Sequence, residues 1–167
     1  CAVFDLAHIL DHMGRPAEAE TMFHRAVEGN RSVFGATHED TLHAMSGLAK
    51  VIGKQEGKQD EAAQMFLQTI SAQEALHGKE SAVTNCTVSN YAALLEDQGK
   101  PDEALPLKRR VLAVDKKRYG AEHPHTLIAA GNLAHTLTTL KQFDEAETLY
   151  IQTLAGHEER HGSTHPE

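Results

Sequence analysis

The feature that most constrains this chain is an internal repeat. The dipeptide Glu-Ala recurs in steps of 43, 42 and 42 residues, at Glu18, Glu61, Glu103 and Glu145. A glycine follows each glutamate by 17 residues, at Gly35, Gly78, Gly120 and Gly162. Six residues beyond the first three glycines stands a threonine, at Thr41, Thr84 and Thr126. Such coincident registers indicate that one structural unit is repeated along the chain.

Each unit contains two helical patterns. In the last unit, apolar residues at three- to four-residue spacing run from Leu127 to Leu140, and a second apolar stripe runs from Ala146 to Leu154. This spacing places the apolar side chains on one face of a helix. We call the first pattern of each unit helix A and the second helix B. No strand pattern competes with them.

Glycine and proline mark the predicted ends of these helices. Helix A should end at a glycine, because glycine adopts the left-handed conformation of a helix C-cap at little cost. Three units follow this rule, at Gly14, Gly57 and Gly99, and the fourth has Lys141. Pro16 and Pro101 stand in the first turn of helix B, where a missing N–H costs nothing.

A two-helix unit cannot bury both of its apolar stripes alone, so consecutive units must stack on one another. We therefore expect one array over residues 1–167, with repeats at 1–37, 38–80, 81–122 and 123–164 and the start of a fifth. The chain begins just past the point equivalent to Thr41 and stops where another helix A would begin. We expect the array to be truncated at both ends.

Charge argues against nucleic acid as a partner. The chain has 24 acidic and 16 basic residues and a net charge of -8, which should repel phosphate backbones. Two short basic runs, at 108–110 and 116–118, fall on one predicted helix B. Acidic residues alternate with them, which predicts an ordinary solvated face.

No membrane span or secretory leader is visible, because the sequence lacks both a run of about 18 apolar residues and a basic, apolar N-terminal segment. The two cysteines, Cys1 and Cys86, have no C-x-x-C spacing and cannot form a disulfide framework. These features favour a cytoplasmic protein.

The spacing of small and aromatic residues resembles the tetratricopeptide repeat. Alanines 12 or 13 residues apart, with an aromatic residue four further on, occur as Ala7, Ala19 and Phe23, as Ala49, Ala62 and Phe66, and as Ala134, Ala146 and Tyr150. The third unit departs from the pattern, with Lys108 at the aromatic position. The longer period and the segment from Tyr119 to Leu127, with its Gly-Ala-Glu-His-Pro core, resemble the repeats of kinesin light chains.

This resemblance implies an all-α fold, a right-handed superhelix (α-solenoid) of helix-turn-helix tetratricopeptide repeats. It also implies a concave groove lined by the A helices, into which a partner peptide or helix is laid. Asparagines of the family's Asn-Leu-Ala motif bind the partner's backbone, which makes Asn90 and Asn132 the first candidate contacts. Asp5 and Gly47 stand at the same position in the first two units and should bind less. The other candidates on this surface are His8, His43, Ser46, Lys50, Cys86, Ser89 and His135.

Lys50 is the candidate that would supply a charge-assisted hydrogen bond to an acidic partner. Three histidines, His8, His43 and His135, would supplement it when protonated. Binding would then strengthen as the pH falls toward 6.

The segment from His157 to His161 spells H-E-x-x-H, which on a helix can place two zinc-binding histidines one turn apart, with Glu158 as a base. The repeat already explains part of it, because His157 belongs to a helix B that closes before Gly162. A superhelix surface also offers no third ligand or closed pocket in view. A zinc hydrolase is therefore a distant third hypothesis, and we expect no catalytic residue, metal or cofactor.

The sequence predicts a protein-interaction module without chemistry of its own. The alternative is a structural scaffold subunit, packed permanently into a larger assembly through its ends or convex face. We expect a protein or peptide as partner, and no nucleic acid or membrane span.

Overall fold

A computed structural model describes residues 2–161, with side chains described as far as Glu158. The described residues form helices joined by short turns and contain no strand. The helices are α1 (Ala2–His12), α2 (Pro16–Phe34), α3 (Glu39–Gly53), α4 (Gln59–His77), α5 (Ala82–Asp97), α6 (Pro101–Tyr119), α7 (Pro124–Thr139) and α8 (Phe143–His161). The all-α prediction is confirmed. The odd-numbered helices are the A helices and the even-numbered ones the B helices.

The chain divides into two compact units, Cys1–Leu94 and Leu95–Glu167, and the division falls inside α5. Each B helix has 19 residues, whereas the A helices are shorter. No helix in residues 2–161 is both long and apolar enough to cross a membrane. The predicted beginning of a fifth repeat, like Gly162, lies outside the described residues. The repeat boundaries stay a prediction.

A residue in the left-handed conformation follows each A helix, two residues after the end of α1, α5 and α7 and four residues after the end of α3. The predicted end of the second helix A at Gly57 is therefore too late, because α3 ends at Gly53. Gly14, Gly57 and Gly99 have φ values of 71°, 80° and 70°. Lys141 adopts the same conformation with φ 60°, and it is the one non-glycine residue with positive φ in the described chain. Its side chain makes that conformation costly, because Cβ crowds the backbone there. Pro16 and Pro101 begin α2 and α6, as predicted.

The spacing of six residues between glycine and threonine has a structural cause. Gly35, Gly78 and Gly120 follow the B helices with φ values of 96°, 85° and 90°. The threonine six residues further on is buried and donates its hydroxyl to the carbonyl oxygen of the glycine, at 2.8, 3.1 and 2.7 Å for Thr41, Thr84 and Thr126. The turn from one helix B into the next helix A is fixed by this bond.

Histidines in the same turns cap the A helices. The Nδ1 atoms of His38 and His123 accept hydrogen bonds from the backbone N–H two residues later, each at 3.2 Å. Their rings stack on Phe34 and Tyr119, with centroids 4.6 Å apart in both cases. An acceptor at this position satisfies an N–H that has no partner within the helix. These histidines therefore have a structural role.

The core of the first unit is built around two aromatic residues from the B helices. Phe23 and Phe66 are each 1% exposed and pack among residues of α1, α3 and α4. Leu48, Val51 and Ile52 of α3 are equally buried. The apolar stripe predicted for the B helices thus forms the inner layer of this unit.

In the second unit Lys108 takes the aromatic position of α6 and is 8% exposed. Its ammonium group pairs with the carboxylate of Glu96 and donates to the carbonyl oxygen of Asn132 at 3.2 Å. Thr136 donates to the other oxygen of Glu96. The prediction of a solvated face is wrong for Lys108, because its charge is neutralised inside the unit. The neighbouring Arg109 does form an exposed ion pair, with Glu145.

Replacing Lys141 with glycine should raise the free energy of unfolding by about 1 kcal/mol, because glycine carries no penalty at positive φ. Urea denaturation followed by circular dichroism measures the change. Lys100→Gly is the matched control, since Lys100 has φ -112° and gains nothing from glycine. Equal effects of the two substitutions would contradict the conformational explanation.

Removing the partner of Glu96 should be costly. We expect Lys108→Ala to lower the free energy of unfolding by about 3 kcal/mol, because it leaves a carboxylate partly buried without its counter-charge. The double variant Lys108→Met with Glu96→Gln should recover most of this loss. Lys116→Ala, at an exposed position of the same helix, should change stability by less than about 0.5 kcal/mol. A double variant as unstable as Lys108→Ala would show that the charges are not the cause.

Candidate functional site

The first unit contains a cavity of about 530 Å³, within the range typical of ligand-binding sites. Its walls come from α1, α3 and α5, with one residue from α4. The lining residues are His8, Glu39, His43, Ser46, Gly47, Lys50, Gln73, Ala82, Val83, Cys86, Thr87 and Asn90. The A helices of this unit thus carry most of the cavity lining.

Six of the ten candidate residues line this cavity: His8, His43, Ser46, Lys50, Cys86 and Asn90. Asp5 and Ser89 belong to the same unit and are not part of the lining. Asn132 and His135 lie on α7 in the second unit, where both are exposed. The cavity thus brings together candidates from three successive A helices, α1, α3 and α5.

Gly47 allows α3 and α2 to approach closely at the edge of the cavity. A Cβ at this position would lie 2.9 Å from Cζ of Phe23 and still closer to Cε1. Real side chains do not tolerate such contacts, so residue 47 must remain glycine while Phe23 keeps its buried place. This explains why no asparagine stands in the second unit at the position that Asn90 holds in the third.

Aromatic contacts surround the two cavity histidines. The ring of His8 meets Phe4 edge-on with centroids 4.6 Å apart and meets Phe23 at 5.2 Å, while His43 lies 4.5 Å from Phe4. Burial in this cluster, with the nearby charges of Lys50 and His43, holds the pKa of His8 below its ordinary value. His8 therefore takes up its proton only at a lower pH than an ordinary histidine does.

The charge of Lys50 is already partly neutralised. Its Nζ lies 3.7 Å from Oδ2 of Asp11, and Nζ of Lys54 lies 2.6 Å from Oδ1 of the same carboxylate. Burial of Asp11 favours its neutral form, but the hydrogen bond from Lys54 and the two lysine charges outweigh it and lower the pKa of Asp11. Since Lys50 shares its counter-ion with Lys54, a partner carboxylate can still compete for it.

The wall formed by α5 carries short polar side chains. Thr87 is buried, and its hydroxyl lies 3.4 Å from the hydroxyl of Ser46 on α3 and 3.3 Å from the carbonyl oxygen of Val83. Asn90, one turn further along α5, is half-buried on the same lining. An amide offers two donors and an acceptor, so Asn90 is chemically suited to bind a peptide backbone.

Gln73 is a lining residue that the sequence analysis missed. It comes from α4, a helix B, whereas the predicted groove used A helices only. A signal was present, because residues 12 positions after each repeat glutamate are polar throughout, at Asn30, Gln73, Asp115 and His157. A polar residue that recurs at one position of the apolar stripe of helix B indicates a contact with the neighbouring helix A or with its groove.

The candidates of the second unit lie near the ion pair of Glu96. Nδ1 of His135 is 3.9 Å from Oε1 of Glu96, and the side chain of His135 is 71% exposed. The backbone carbonyl of Asn132 accepts the hydrogen bond from Lys108. Asn132 and His135 are both exposed to solvent.

The H-E-x-x-H segment falls at the end of α8. His157 and Glu158 are exposed there, and the side chain of His161 lies outside the described residues. In the part of the chain whose side chains are described, no three histidine, cysteine, aspartate or glutamate residues are grouped as metal ligands.

Comparison with protein families gives a match over most of the chain. The family model described as tetratricopeptide repeat matches residues 1–75 and 83–167 of this chain. It is not a catalytic family. No curated protein sequence gives a significant match to this chain.

Solved structures with the same fold include kinesin light chain repeats. A Podospora anserina protein, described as a kinesin light chain with nearly identical TPR-like repeats, is 24% identical with a TM-score of 0.86, over 99% of this chain and 78% of that one. BtubC from P. vanneervenii is 20% identical with a TM-score of 0.85, over 99% of this chain and 65% of that one. At these identities the likeness concerns the fold. The predicted resemblance to the kinesin light chain type of repeat is confirmed.

Adding a single methyl group at Gly47 should disturb the wall of the cavity. We expect Gly47→Ala to lower the free energy of unfolding by about 1 to 3 kcal/mol, because Phe23 must leave its packed position. Gly29→Ala is the matched control, since Gly29 lies in α2 of the same unit with open space around its Cα. It should stabilise by about 0.5 to 1 kcal/mol through helix propensity. Thermal unfolding of both variants measures the two changes in stability. If Gly47→Ala stabilised the chain as much as Gly29→Ala, the close approach between residue 47 and the ring of Phe23 would be contradicted.

Proposed function

The chain belongs to the tetratricopeptide repeat family, and on that basis we propose that it binds a peptide or helix in the groove formed by its A helices. Tetratricopeptide repeats are in general protein-interaction modules. The observation that carries the finer proposal is the cavity of the first unit, where candidate residues from α1, α3 and α5 meet. We propose no chemistry for this site.

The polar groups in the cavity lining are suited to a peptide. Hydroxyl, amide and imidazole groups are among them, and each offers hydrogen bonds that an extended backbone can use. The two charged lining residues, Glu39 and Lys50, have opposite signs and lie on the first and last turns of α3. A bound segment therefore needs no large net charge.

We propose Asn90 and Lys50 as the principal contacts in the first unit. Asn90 presents an amide to the backbone of the partner, and Lys50 offers its ammonium group to a carbonyl or carboxylate in competition with Asp11. In the second unit, Asn132 and His135 are proposed contacts on the exposed face of α7.

A scaffold role is the second candidate, and exposed apolar residues favour it. On α1, Leu6 and Ile9 are 46% and 55% exposed, and Met13, directly after the helix, is 61% exposed. On α8, Ile151 and Leu154 are 61% and 60% exposed. Sedimentation velocity compares the assembly state of the parent chain with that of Ile9→Asp. A permanent assembly through the exposed face of α1 would dissociate in the variant, whereas groove binding does not depend on that face.

Peptide selection tests the groove directly. A random heptapeptide display library is panned on the intact chain, and the dissociation constants of selected peptides are measured by isothermal titration. We expect Asn90→Ala to weaken binding about tenfold, the loss of roughly one good hydrogen bond. Lys50→Ala should weaken the binding of peptides that carry a carboxylate.

The control is Gln68→Ala, an exposed position of α4 outside the cavity. It should leave the dissociation constants unchanged, and circular dichroism should give equal helix content for all variants. Selected peptides that bind Asn90→Ala and Lys50→Ala as tightly as the parent chain would refute groove binding in this unit.

A further inference from the structure

Gln73 is a buried side chain whose hydrogen-bonding groups are unused. The residue is 1% exposed, and neither Nε2 nor Oε1 has a hydrogen-bond partner within the described part of the chain. Buried amides are almost always paired, so an unpaired one calls for a specific explanation. Gln73 is also a lining residue of the cavity in the first unit.

The equivalent residue of the preceding repeat shows what a structural role would look like. Asn30 stands at the same place in α2, and its Nδ2 donates to the carbonyl oxygen of Asp40 in the first turn of α3, at 3.0 Å. It therefore ties helix B to the following helix A. In the next repeat the carbonyl at the same place belongs to Val83, and it accepts from the hydroxyl of Thr87 at 3.3 Å. Gln73 makes no such tie.

The polar neighbours on the cavity wall do not replace this bond. The hydroxyls of Thr87 and Ser46 lie 3.4 Å from one another, and Lys50 is directed to Asp11. Gln73 thus keeps one acceptor and two donors beneath the surface of the site. A group entering the cavity from outside can supply partners for both amide atoms.

We propose that Gln73 is a specificity-determining residue that binds a neutral side-chain amide, from an asparagine or glutamine of the bound peptide. The inference rests on the proposed groove function and adds the chemistry of one partner residue. Because the Gln73 amide lies under the cavity surface, a backbone lying across the opening does not reach it. A side chain inserted between α3 and α5 does.

The chemistry of the two amide atoms selects among possible side chains. A carboxylate would use the N–H groups of Gln73 and leave Oε1 facing a negative charge. An ammonium group would use Oε1 alone, and an apolar side chain would use neither. An amide donates to Oε1 and accepts from Nε2 at once, which pairs both buried atoms. A site built to hydrogen-bond one group discriminates strongly against analogues that lack it, because its buried polar atoms then stay unpaired.

The test compares peptide selection on the intact parent chain, Gln73→Met, Gln68→Met and Asn90→Ala. Methionine has a similar size and removes only the amide, so the fold should persist, and urea denaturation checks that it does. On the parent chain and on Gln68→Met we expect asparagine or glutamine to be enriched at one fixed position of the heptapeptide. On Gln73→Met this enrichment should fall to the level of the unselected library.

A pair of synthetic peptides then measures the contact. The best selected heptapeptide and its analogue with leucine at the fixed position should differ at least tenfold in dissociation constant on the parent chain and less than about twofold on Gln73→Met. The proposal is overturned if Gln73→Met keeps the amide preference, or if the fixed position selects acidic or apolar residues.

The two levels of the hypothesis fail in different ways. Peptides that depend on Asn90 but show no preference that depends on Gln73 would overturn this inference and leave groove binding intact. If no peptide is enriched on any variant, or if the enriched peptides ignore both residues, groove binding fails and the inference fails with it.

Discussion

The structure depends on the close packing of alanines at one position of every helix. Eight alanines, one in each helix, are between 0% and 2% exposed: Ala7, Ala19, Ala49, Ala62, Ala92, Ala104, Ala134 and Ala146. Only a small side chain allows two helices to approach this closely. These alanines recur with the period of the repeat, so the turn from each helix B to the next helix A recurs with the same period. This explains the recurring glycine and threonine of that turn. The location of each side chain that lines the cavity then depends on its position within the repeat rather than on the residues next to it in sequence.

Three residues depart from the pattern of the repeat. Lys108 replaces a buried aromatic residue and is stabilised by Glu96, which gives the second unit a polar core element. Gly47 stands at the position that is asparagine in the third and fourth units, and its lack of a side chain leaves room for Phe23. Gln73 does not make the hydrogen bond to the next helix A that Asn30 makes. The first two changes are compensated inside their own units, whereas the third leaves an amide without a partner, and for that reason we connect it to binding.

Much of the fold was predictable because the repeat reports packing constraints directly. Helix boundaries followed from Gly14, Pro16 and their equivalents, and the kinesin light chain type of repeat followed from the turn. The site was only partly predictable. Residues one turn apart on an A helix, such as Ser46 and Lys50, could be placed on one surface from spacing alone. The burial of Lys108 and the missing hydrogen bonds of Gln73 could not be predicted, because both depend on how neighbouring helices pack.

The most direct test of groove binding is to map the contact surface by heteronuclear NMR while a selected heptapeptide is titrated into the intact chain. We predict that the largest chemical-shift changes fall on α3 and α5, at Lys50 and Asn90, and on the side-chain amide of Gln73. Changes confined to the exposed apolar residues of α1 or α8, such as Ile9 and Leu154, would contradict groove binding and favour a scaffold packed through those faces.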